Sequence, residues 1–211
     1  RARHLEVELD AHDLVDVAVT SAEDAAGVRL LNLRTSAVQL VTHGVAREVP
    51  VFGDLGWVRV SGVIDELRLD EGGGVVLSEL KTRARPTLPT AAQQEVTRLQ
   101  LSLYKLLWDS LVTGRTDVLA GVSRSADPDA PFSEPFQADV ARFTGAHTPA
   151  TTLRALARAC ADALAFCGAA SPTFSVTYEH GGERIGVVEL PYDEAWLEGA
   201  LRGLEPFWGG S

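Results

Sequence analysis

Asp65, Glu79 and Lys81 are the residues whose types and spacing promise chemistry. They fall on two strand-like stretches, Trp57 to Leu69 and Val75 to Arg85, separated by the turn sequence Asp70-Glu71-Gly72-Gly73-Gly74. A hairpin centred on Gly72 sets Asp65 opposite Glu79, Leu67 opposite Leu77 and Leu69 opposite Val75. Facing residues of an antiparallel pair have Cβ atoms about 5 Å apart, so two carboxylates point the same way from neighbouring strands. Lys81, two residues beyond Glu79, emerges on that face as well. Val63, Leu67, Leu69, Val75 and Leu77 complete the face, which places the acids at the end of a core-facing surface. Adjacent carboxylates there repel and lose hydration, and either one takes a proton or a cation neutralises both. Oxygen donors without paired His or Cys favour Mg²⁺ or Mn²⁺ over zinc. A cation so held polarises a phosphate and acidifies an attacking water, while Lys81 positions or deprotonates that water or stabilises charge on phosphorus. The chemistry is phosphodiester hydrolysis. Spacing alone leaves a second reading open, a surface hairpin with all three residues solvated; the apolar neighbours favour the site.

The elements around the hairpin must position these groups. A helix is expected from Thr90, whose spacing to Gln93 suits a capping box, to about Thr113 before Gly114. Val96, Leu99, Leu103, Leu106 and Leu107 are its expected core stripe, with Gln93, Thr97, Gln100 and Tyr104 as a polar row. Gln100 and Tyr104 share a face and suit contacts to phosphate or base and stacking on a nucleobase, although Tyr104 also suits plain packing. Arg83 and Arg85 alternate with Lys81 and are candidates to hold backbone phosphates. Between Lys81 and Arg115 stand six basic residues, Lys105 among them, against two acidic ones. That local +4 leaves −14 for the remainder of a chain with net charge −10. A basic strip on an acidic body holds a polyanion in one groove and repels it elsewhere.

The 211 residues, 45% hydrophobic, suit one domain, without repeats or low-complexity tracts. No apolar run approaches the roughly 20 residues that span a bilayer, and Arg1-Ala2-Arg3-His4 has no hydrophobic stretch behind it. The chain does not open with Met and reads as a piece of a longer polypeptide. Cys160 and Cys167, seven apart in an Ala-rich helical segment, read as buried free thiols near one helix face. Helices are expected from His4 to Leu14, from Ala22 to Leu33 behind Ser21 as N-cap, from Leu153 to Phe166, and at the C-terminus from Tyr192 to Trp208. Strands are expected at Ala46 to Phe52, near Val118 to Arg124, around Phe174 to Tyr178 and at Arg184 to Leu190, with Ala126 to Pro135 as a loop. The sum is a mixed α/β domain.

The stretches Gly62-Val-Ile-Asp-Glu-Leu67, Leu77-Ser-Glu-Leu-Lys-Thr82, Arg85-Pro-Thr-Leu-Pro89 and Leu99-Gln-Leu-Ser-Leu-Tyr-Lys105 closely resemble the exonuclease V family. That family belongs to the PD-(D/E)XK nucleases and is related to the RecB nuclease domain. The likeness extends upstream through His4 to Leu14 and Arg47 to Gly53 and is looser in the second half. It implies a restriction-endonuclease-like core, a central mixed β-sheet flanked by helices. Asp65, Glu79 and Lys81 match the acid, acid and lysine of the family motif, and Gln100 and Tyr104 match its Gln-x-x-x-Tyr. His4 falls where such enzymes supply a further metal ligand, although a lone His near a chain start is also commonly just solvated. Glu48 fits the pattern without an assigned role. The resemblance further implies a [4Fe–4S] cluster held by four cysteines. Cys160 and Cys167 do not fit those places, so the cluster is expected in the full-length protein and not in this chain.

The implied function is that of a metal-dependent exonuclease on single-stranded DNA, in DNA repair or genome maintenance. The expected protein is a monomer, intracellular and nuclear or mitochondrial if eukaryotic, with a single-strand-binding protein as a further partner and no membrane. Two alternatives stay open: a structure-specific or flap endonuclease of the same fold, and a catalytically silent nucleic-acid-binding domain.

Overall fold

A computed structural model describes residues 17–122, 126–145 and 150–208. The expected first helix, with His4, lies outside the described residues. Helix α1 (Ala22–His43) is ten residues longer than the sequence pattern suggested and opens on a capping box in which Ser21 and Asp24 each satisfy the other's backbone N–H. It stops at Gly44, whose φ of 75° places it in the left-handed region that glycine enters without a Cβ penalty.

Strands β1 (Val45–Asp54), β2 (Arg59–Leu69) and β3 (Val75–Thr82) follow as an antiparallel meander. Asp70 builds the β2–β3 turn: its carboxylate accepts the N–H groups of Gly72 and Gly74, and its carbonyl that of Gly73. The register then runs as expected, with Leu69 opposite Val75 and Leu67 opposite Leu77.

Helices α2 (Ala91–Val112), α3 (Val118–Val122), α4 (Glu134–Thr144) and α5 (Leu153–Leu164) lead to β4 (Thr173–His180), which pairs parallel with β3. Strand β5 (Glu183–Pro191) closes the sheet in the order β1-β2-β3-β4-β5, and α6 (Glu194–Trp208) ends the described chain. The fold is α/β, a five-stranded mixed sheet between helices, as expected. Gly53 of β1 faces Leu107 of α2 while its neighbour Phe52 faces Gly121 of α3, so helices cover both faces of the sheet.

Three local expectations fail. The strand near Val118 to Arg124 is, over its described part, the helix α3, where the Asp117 carboxylate accepts the Leu119 N–H and favours the helical turn. Helix α4 starts within the expected loop, capped by Ser133 with Pro135 in its first turn. The buried face of α2 is Thr97, Leu101, Lys105, Trp108 and Leu111 together with the expected Leu107, whereas Leu99, Leu103 and Leu106 are half-buried and Val96 is 71% exposed. A helix this rich in Leu offers several stripes at helical spacing, and the anchor of Trp108, which donates to the Gly168 carbonyl, selects the one buried. Among the described residues no helix is long and apolar enough to cross a membrane.

Candidate active site

The β2–β3 ladder pairs normally through Glu66 and Ser78, and beyond that rung the strands part. Asp65 sits at the fork. Instead of facing Glu79 across a closed ladder, its Oδ2 accepts the backbone N–H of Leu80 at 3.1 Å, so the side chain replaces a strand hydrogen bond. The apolar run behind the fork is buried at Leu67, Val75 and Leu77, but Val63 beyond it is 43% exposed. The expected core-facing surface therefore ends at the acids.

Glu79 is buried, and its Oε1 accepts from Lys81 Nζ at 2.5 Å and, at 3.5 Å, from Gln100 Nε2. Lys81 also donates to Gln100 Oε1 at 3.3 Å, and Gln100 Nε2 donates to the Tyr104 hydroxyl at 3.3 Å. Four side chains from β3 and α2 thus form a connected polar cluster, and Asp65 of β2 reaches β3 through the Leu80 N–H. Gly62 makes room for it, because a Cβ there would stand 2.4 Å from the Tyr104 ring. Burial pushes the Glu79 carboxyl above its ordinary value; the Lys81 hydrogen bond opposes this and the Asp65 charge reinforces it. Its Oε2 is buried and has no hydrogen-bond partner.

That orphaned oxygen tests whether the residues fit a cation. A buried carboxylate oxygen without a donor is costly unless something positive meets it, and with Asp65 beside it the donor set is all oxygen. The residues fit a hard divalent ion. Among the described residues no group of three or more His, Cys, Asp or Glu is arranged as a metal site, and the expected ligand His4 lies outside them. Cys160 is buried within α5 and Cys167 lies beyond its end, so the two do not share a helix face; both are free, and burial pushes their thiols up to about 12 and about 11.

The expected strand-binding residues divide. Arg85 is exposed. Arg83, just past the end of β3, is half-buried and donates to the Thr87 carbonyl and to Gln93, bracing the loop before α2. Lys105 is corrected: it is buried, ion-paired to Asp109 at 2.7 Å, and donates to the Ala170 carbonyl, with the Tyr192 ring beside it. It anchors α2 to the segment before β4 and is not available to a phosphate.

Glu48 gains a place that spacing did not give it. It occupies the β1 rung between the pairs Arg47–Glu66 and Val49–Ile64, next to Asp65, and its φ of 50° is the one left-handed value among the described non-glycine residues. Glu48 is thus the counterpart of Asp65 across β1 and β2, and Asp65 and Glu79 each lie one residue past the last β2–β3 pair.

A five-stranded mixed sheet flanked by helices on both faces is compatible with the PD-(D/E)XK nuclease fold, and the paired acids and lysine lie at its strand fork. A model of the exonuclease V family, described as a 5′ deoxyribonuclease, matches residues 1–73 and 70–156. Exonuclease V of Danio rerio is 34% identical over 224 residues, covering 98% of this chain and 53% of that protein. The chain belongs to the exonuclease V family and spans about half the length of this relative.

Proposed function

We propose that this chain is the nuclease portion of a metal-dependent 5′ deoxyribonuclease that hydrolyses phosphodiester bonds of single-stranded DNA. The observation that carries the reading is the fork itself, where Asp65 and the orphaned Oε2 of Glu79 converge beside Lys81. Asp65 and Glu79 would hold the divalent cation, which when bound supplies Lewis-acid polarisation of the phosphate and a more acidic water.

The chain's own groups do the rest. Glu79 and Gln100 fix the Lys81 ammonium, which removes the orientational freedom that a four-carbon side chain would otherwise keep. So held, Lys81 orients the attacking water or neutralises charge growing on the phosphoryl oxygens. Gln100 and Tyr104 bear on the same point from α2, with the phenol ring available to a base. Arg85, exposed four residues after Lys81, suits a backbone phosphate.

The test is cleavage of end-labelled single strands against circular single strands, with Mg²⁺ and with chelator, in the wild type and in Asp65→Ala and Lys81→Ala. We expect Mg²⁺-dependent loss of the linear strand alone and none in either variant. Near-normal cleavage by Asp65→Ala removes the assignment.

A further inference from the structure

A cleft of about 720 Å³ lies between α1 and the strands β1 and β2, closed at one end by α4. Its helical wall carries Arg29, Asn32, Thr35, Ser36 and Gln39, positions that recur at three- and four-residue steps along one face of α1. From Arg29 to Gln39 that row runs about 15 Å at 1.5 Å per residue, which makes the cleft a trough. Arg142 and Phe143 of α4 stand at its closed end, the guanidinium over the ring at 4.6 Å. The opposite wall includes Glu48, Gly62 and Val63. Gly62 is the residue that seats the Tyr104 ring, and Glu48 is the counterpart of Asp65 on β1, so the trough borders the acid site.

The lining is unusual for a protein with net charge −10. Two guanidiniums, two side-chain amides, hydroxyls and two aromatic rings, Phe52 and Phe143, line a shared space. The Thr35 hydroxyl is buried without a partner, which leaves a hydrogen-bonding group for something entering the cleft. Guanidiniums that meet phosphates, neutral amides and hydroxyls that tolerate any base edge, and a stacked ring are the chemistry that takes a single polynucleotide strand without reading its sequence. Glu48 carries the wrong sign for a phosphate and lies at the end of the trough nearest Asp65.

We propose that this trough guides the single strand up to the acids and the α2 residues beside them, with Arg29 and Arg142 on its phosphates and Phe143 with Arg142 as its stacking platform. The proposal rests on the nuclease reading for its direction but not for its test. Binding of a fluorescent oligothymidylate by the 211-residue chain is measured by anisotropy in chelator, where no cleavage occurs, across a range of salt. We expect Arg29→Ala with Arg142→Ala to weaken binding about tenfold or more and to flatten the salt dependence by about 0.7 per lost phosphate contact.

Arg142 also pairs with Asp139, so Arg29→Ala alone, at an exposed position, serves as the variant that leaves the fold intact. Arg34→Ala is the control: Arg34 lines the separate apolar hollow between α1 and α5 and should bind as the wild type does. Unchanged affinity and salt slope in folded Arg29→Ala and in the double variant overturns the trough, and so does absence of binding by the wild type. If the wild type binds but cleaves nothing with Mg²⁺, while the double variant loses binding, the cleavage reading fails and the trough stands.

Discussion

Glu79 and Asp24 are both acids withdrawn from solvent, and the protein treats them in opposite ways. Around Asp24, Oδ2 accepts from the Thr20 N–H and hydroxyl and from the Ser21 N–H, and Oδ1 accepts from the Ser133 N–H. Burial alone would raise its carboxyl, but these bonds outweigh that effect and hold it below its ordinary value. Around Glu79 one oxygen is served by Lys81 and Gln100 and the other by nothing, and the carboxyl is raised. Burial is common to both; the number of donors decides the sign. A fully satisfied acid holds elements together, whereas a half-satisfied one is kept for a partner that the fold itself does not provide.

The comparison breaks first at Glu79→Gln. Cleavage should fall on the order of 10³-fold, and thermal stability in chelator should stay level or rise, because an unmet charge leaves a buried place. A large drop in stability would show that Glu79 is structural after all.

Lys105→Met gives the next largest effect. Asp109 accepts from Lys105 and from the Ala170 N–H, so removing the lysine strands a mostly buried acid and should cost about 3 kcal/mol in chemical denaturation. Strand affinity and its salt slope should not move; a flatter slope would return Lys105 to the binding surface.

Asp24→Asn should cost about 2 kcal/mol, since it leaves amide hydrogens facing N–H donors, with cleavage by the folded protein unaffected. The two acids also predict opposite pH behaviour in chelator. Asp24, lowered in the folded state, stabilises above the ordinary carboxylate range, and this is lost as pH falls through its folded value. Glu79, raised in the folded state, contributes stability below that range, lost as pH rises through its folded value. Stability profiles of Asp24→Asn and Glu79→Gln should flatten on the acid side and on the higher-pH side respectively. The same side flattening in both would refute the contrast.

The smallest change is Gly62→Ala. One methyl group directed at the Tyr104 ring should cost about 1 kcal/mol of stability and displace Tyr104 from Gln100, lowering cleavage several-fold. Wild-type cleavage would mean that the ring's position is not used.

Much of this was legible in the residues themselves, because the interactions concerned are local. The hairpin register follows from a turn that Asp70 and three glycines define, and it brings Asp65, Glu79 and Lys81 together whatever surrounds them. The Thr90–Gln93 capping box and the N-cap at Ser21 were readable for the same reason, and so was the pairing of Gln100 with Tyr104 one helical turn apart. What distance in sequence separates, only the tertiary structure decided. Nothing local shows that the ladder opens at Asp65, since that depends on Leu80 and on α2 pressing from across the sheet. Lys105 looks like any cation of a basic segment until Asp109 and Ala170, 65 residues away from it in the latter case, enclose it. The polar row of α1 runs past Leu33, where the sequence pattern ended that helix, and that it faces β1 and β2 across a trough also lined by Arg142 depends on where α4 packs. Alternation and capping are set by neighbours along the chain; which face is buried, and which charge is left without a partner, is set by the elements that fold against them.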